Sequence, residues 1–171
     1  MSLDLLKLVV LFFCIGAVFF DLRSRKVPNY FVIIGFFTIA ATFLSVYDSS
    51  WDQLRSHLLS LFIVFIVGFL MWQFRVLGAG DVKVLAIVAF SLTWQSGLEF
   101  FFYSLVWGSV LGVISLVLEK GRVVLINKFN LNSIMTIRSL SIADHRIPFT
   151  VAILFGVLSI WLLEAKEVHF L

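Results

Sequence analysis

The feature that most constrains this chain is a succession of long apolar runs separated by only a few polar residues. Six can be read: roughly Leu5 to Phe20, Tyr30 to Tyr47, His57 to Gln73, Val82 to Ser96, Phe100 to Leu118 and Ile147 to Leu163. Each approaches the roughly 20 residues that carry a helix across a hydrocarbon core of about 30 Å. Of the 171 residues, 61% are hydrophobic and 13% charged, which is lipid-compatible and unlike an ordinary soluble domain. The expected fold is all-α: one polytopic membrane domain over 1–171, with about six transmembrane helices, short loops and no separate globular unit. The break between the fourth and fifth runs rests on Gln95, Ser96, Gly97 and Glu99; a single bent or re-entrant segment is the alternative.

The first run resembles a secretion signal in position, but Lys7 is the only base ahead of its apolar stretch and no small-x-small cleavage site follows. It reads as a retained anchor. Cys14 is the one cysteine, so neither a disulfide framework nor a CxxC zinc site can be built, and a packing role is expected. His57, His145 and His169 are isolated, which gives no metal constellation and an interfacial expectation for each. The net charge of +3 does not imply a nucleic-acid partner, because the bases are scattered between spans.

Those bases orient the chain instead. Arg23, Arg25 and Lys26 follow the first run, Arg75 and Lys83 flank the third connection, and Lys120, Arg122, Lys128, Arg138 and Arg146 follow the fifth run. Ten of the 13 bases therefore fall on one side, against Lys7, Arg55 and Lys166 on the other. The positive-inside rule puts the odd-numbered loops in the cytoplasm and both termini outside it. The long connection 119–146 mixes apolar residues with bases, in too ragged a period for one helix, and is expected to lie on anionic lipid.

Acids at a hydrocarbon boundary are costly and usually paired or functional. Asp4, Asp48, Asp52, Glu99, Glu164 and Glu167 fall in tails or loops and read as solvated or interfacial; Asp144 has His145 and Arg146 beside it. Asp21 and Asp81 differ. Asp21 ends the first run and precedes the turn signal Pro28-Asn29, so its carboxylate meets the negative end of a helix dipole unless Arg23 or Arg25 balances it. Asp81 closes Gly78-Ala79-Gly80-Asp81, where the glycines let backbone bend or approach a substrate; capping the fourth helix is the plain alternative. The topology places both on the cytoplasmic face. Two close carboxylates share a proton, so one can activate water while the other supports an oxyanion. Helix dipoles alone would make Asp81 the charged base and Asp21 the proton holder.

Asp21 with Pro28-Asn29, then Gly78-Ala79-Gly80-Asp81-Val82-Lys83, then Ile147-Pro148-Phe149-Thr150 opening the last helix, resemble the type IV prepilin peptidases, a family of membrane aspartyl proteases. The resemblance implies Asp21 and Asp81 as catalytic residues and Gly78, Gly80, Lys83, Pro28, Asn29 and Pro148 as supporting ones; Lys83 itself reads first as an inside-positive anchor, with partnership to Asp81 as the alternative. It implies no cofactor or metal, and a pilin-like precursor whose short basic leader is cut off at the cytoplasmic boundary of its hydrophobic helix, typically after glycine. Asp144 is then a candidate acid for seating the leader. The chain lacks the cysteine-rich insert of the long bifunctional enzymes, which argues against N-methylation. Its brevity is similar to that of the short peptidases of tight-adherence pili, although Thr150 stands where those often have glycine. Presenilin-like proteases share GxGD, but their other signatures are missing. A small transporter or proton pathway, or an inactive pilus-assembly scaffold, are the alternatives.

Overall fold

The computed structural model describes residues 2–46, 51–129 and 148–170. Six helices and no strands are found among the described residues: α1 Ser2–Ser24, α2 Asn29–Val46, α3 Trp51–Gln73, α4 Ala79–Phe90, α5 Trp94–Phe129 and α6 Phe149–Phe170. Four stretches, Asp4–Ser24, Asn29–Val46, Trp51–Gln73 and Trp94–Val117, are long and apolar enough to cross a membrane; α6 contributes a shorter apolar stretch, Phe149–Ala165. Large apolar side chains such as Phe12, Phe37, Phe62 and Phe102 are more than half exposed. That arrangement suits an acyl-chain solvent and makes the chain an all-α membrane protein.

Helix ends follow local chemistry. Pro28 cannot donate, and its carbonyl accepts from Phe31 and Val32 N–H, which starts α2. At the end of α1, Arg25 adopts the left-handed conformation (φ 53°) and its N–H returns to Asp21 O at 2.8 Å. At the end of α3, Arg75 does the same (φ 60°), with Arg75 N–H on Trp72 O and Val76 N–H on Met71 O. The second pattern is a Schellman closure carried by arginine, where glycine is the usual occupant.

Two sequence expectations are corrected here. The break between the fourth and fifth runs lies at 91–93, not at Gln95 to Glu99, which are helical. Thr93 O accepts the first α5 bond, from Gly97 N–H at 2.7 Å, and Thr93 Oγ1 reaches Ser96 Oγ. Thr93 precedes the first helical residue and Gly97 continues the helix, its N–H closing the first turn. The long connection is also partly regular: α5 continues to Phe129. Thirty-six residues make a helix of about 54 Å, well past an apolar core. The remainder, with Arg138, Asp144, His145 and Arg146, lies outside the described residues, as does Asp48.

The fourth run yields α4, only 12 residues or about 18 Å. It touches every other helix, and Val82 and all of Val84 to Phe90 are buried. A helix that is apolar all round belongs at the centre of a bundle. Its C-terminus is consequently buried, and α3 supplies donors to its last carbonyls: Ser60 Oγ to Ala89 O at 2.7 Å and His57 Nδ1 to Phe90 O at 2.9 Å. His57 is 2% exposed and packs on Phe43, so it is buried inside the bundle. Glu164, expected to be solvated, pairs with Lys7 at 2.9 Å and ties α6 to α1.

Candidate active site

The neighbouring helices run antiparallel, which brings distant residues to one end. Phe13 packs at Gly35 and Phe31 at Gly16 between α1 and α2, while α6 lies along α5 with Gly156 beneath Ser104 and Phe149 over Gly108. Asp21, in the last turn of α1, Asp81, in the first turn of α4, and Thr150, in the first turn of α6, meet at that end.

Asp81 stands one residue ahead of the apolar run and outside the four membrane-spanning stretches. It does not N-cap α4; the N-cap is Gly78, with no side-chain bond, and the Asp81 carboxylate sits three residues on, accepting from the Gly78 backbone N–H. This is half of a capping box, folded back from the helix. A Cβ at position 78 would stand 2.7 Å from Asp81 Oδ2, so a larger residue there would push the carboxylate out of this position. Neither glycine has positive φ, and a Cβ at Gly80 would meet nothing within 4 Å. Neither glycine therefore has a backbone conformation reserved to glycine: Gly78 makes room for Asp81, and Gly80 faces open space.

Burial pushes the Asp81 carboxyl up, and the Asp21 charge raises it further; the Gly78 N–H opposes both, leaving it at about 6. Asp21 therefore lies close enough for its charge to be felt at Asp81. Asp21 is half-buried, and its Oδ2 accepts the Thr150 hydroxyl at 2.9 Å. The assignment of charge from helix dipoles is reversed by these surroundings: Asp81 is the group driven toward its protonated form.

The supporting residues divide. Lys83 does not reach Asp81; its Nζ donates to Asn29 Oδ1 at 2.8 Å, linking the start of α2 to α4. Pro148 O accepts from Val151 N–H and opens α6 immediately before Thr150. Thr150 itself received no role from the sequence, where it registered only as a departure from glycine. Ser60 and His57, which hold the far end of α4, gave no signal beyond being polar in an apolar run.

Two carboxylates so placed can divide the work of activating a water and stabilising an oxyanion. The family model described as the type IV leader peptidase family matches residues 8–113, which include Asp21 and Asp81. No curated protein and no solved structure matches the chain.

Proposed function

Since the chain belongs to the type IV leader peptidase family, we propose that it is an aspartic-type endopeptidase in which Asp21 and Asp81 are the catalytic residues. The observation that carries this reading is the meeting of Asp21, held by the Thr150 hydroxyl at 2.9 Å, with Asp81 in the terminal turns of their helices, close enough for the Asp21 charge to raise the Asp81 carboxyl. Asp21 acts as base and Asp81 as acid. The water oxygen bonds to the peptide carbonyl carbon as its proton passes to Asp21, while Asp81 hydrogen-bonds the developing oxyanion. Collapse of that intermediate breaks the C–N bond, and the proton taken by Asp21 goes to the leaving amine. Water and one amide thus become a carboxylic acid and an amine, and each aspartate returns to its starting state.

The substrate is a pilin-like precursor of the tight-adherence kind, with a basic leader ahead of a hydrophobic helix that lies alongside the bundle in the bilayer. The site faces the cytoplasm from the cytoplasmic membrane, and both termini lie outside. What supports this orientation is the cluster of exposed Arg23, Arg25, Lys26 and Arg75 at the end that holds the aspartates. The Gly78 and Thr150 contacts support the aspartate assignment over a transporter, since they orient carboxylates at one rim and not at midplane.

Co-expression with pilin precursors tests the proposal, with processing read by gel shift and mass spectrometry. Asp21→Asn and Asp81→Asn should each abolish cleavage while inserting normally. Wild-type processing by either inserted variant would sink the dyad.

A further inference from the structure

Thr150 is completely buried at the start of α6 and lies beyond the segment matched by the family model. Most buried hydroxyls find a partner. Elsewhere in this chain Thr38, Thr42, Ser109 and Ser159 satisfy themselves on the carbonyl four residues back. Thr150 is the second residue of its helix, so no preceding turn of α6 offers that carbonyl. Its hydroxyl instead crosses to Asp21 Oδ2, bridging 129 positions of sequence.

Among the described residues, the Gly78 N–H holds Asp81 and the Thr150 O–H holds Asp21. We propose that Thr150 is a positioning residue for peptide hydrolysis: it fixes the rotation of the Asp21 carboxylate and occupies Oδ2, leaving Oδ1 to take the proton from water. The inference rests on the aspartyl peptidase reading above. Thr150 touches neither water nor peptide, so its removal acts on the chemical step and leaves substrate binding alone.

The test uses the full-length protein in proteoliposomes with a synthetic precursor peptide, comparing Thr150→Val, Thr150→Ala, Thr150→Ser and Asp21→Asn. Thr150→Val keeps the shape and loses the donor; it should lower kcat by about tenfold or more with KM within about twofold, since small misplacements of a reacting group are costly. Thr150→Ser should restore most of kcat. If Thr150→Val does not insert, Thr150→Ala against Thr150→Ser carries the same comparison. Wild-type kcat in a hydroxyl-free variant, or failure of serine to restore kcat, overturns the proposal. With Asp21→Asn inactive, such a result removes Thr150 alone; an active Asp21→Asn removes the aspartyl peptidase reading itself.

Discussion

At Asp81 a helix N-terminus favours the charged carboxylate by about 0.3–1 kcal/mol, whereas burial of an acid and a like charge beside it can each move a carboxyl by a pKa unit or more. The larger influences win, which is why Asp81 is pushed toward its protonated form although it stands at a helix N-terminus. The folded protein consequently binds the Asp81 proton more tightly than the unfolded chain, whose value is the ordinary 3.8. The stability this contributes is fully present below that value and is lost as pH rises through about 6. Asp81→Asn should flatten the fall in thermal midpoint of the detergent-solubilised protein between about pH 4 and pH 6.5. Superimposable curves for wild type and variant would refute a raised carboxyl. The alkaline limb of kcat/KM should likewise lie above the ordinary carboxylate range, with an apparent value that belongs to the pair.

Helix α4 is the element on which the site depends, because its N-terminus presents Asp81 and its C-terminus ends inside the bundle. Unpaired carbonyls there would be costly in apolar surroundings. His57 prevents that at Phe90 O, Ala89 O takes the Leu92 N–H as well as Ser60 Oγ, and Ser91 adds a further bond to Val88 O. His57→Ala should destabilise the protein by about 1–3 kcal/mol, the usual cost of orphaning a buried polar group, and Ser60→Ala by about 0.5–1.5 kcal/mol, the net worth of one hydrogen bond, since Ala89 O keeps the Leu92 N–H. Both should leave the pH dependence of cleavage in place, since neither residue is near the aspartates. Thermal denaturation in detergent beside a pH-rate profile separates the two effects; a changed profile with an unchanged midpoint would contradict this division. The sequence carried part of this element: its apolar character was plain, but its length was not. Thr93 was the available signal for the true start of α5, and it was outweighed by the glycine at 97.

For the whole molecule, antiparallel packing places 21, 25, 75, 78, 81 and 150 at one end, and 7, 57, 91–96 and 164 at the other. The outward surface of α2, α3 and α5 is apolar, with Phe37 67% and Phe102 63% exposed. The native cysteine, Cys14, is buried, so Cys14→Ser gives a background for single-cysteine labelling. Impermeant thiol reagents should modify Arg23→Cys and Arg75→Cys from the cytoplasmic side, and Asp52→Cys and Gln95→Cys from the opposite side. Labelling of positions 23 and 75 from opposite sides would break the topology.

Much was determined by sequence alone. Continuous apolar runs dictate helices in lipid, since backbone groups must be satisfied within each segment. The asymmetry of Lys and Arg assigns a side to each connection, and Asp21 and Asp81 fall on the same side by that count. What tertiary structure decided is which groups each carboxylate meets. Thr150 reaches Asp21 from 129 positions away, Lys83 turns to Asn29, and a central α4 buries Asp81 beside the Asp21 charge. Charge state and orientation depend on burial and on donors from other helices, and those are properties of the assembled bundle that no local pattern encodes.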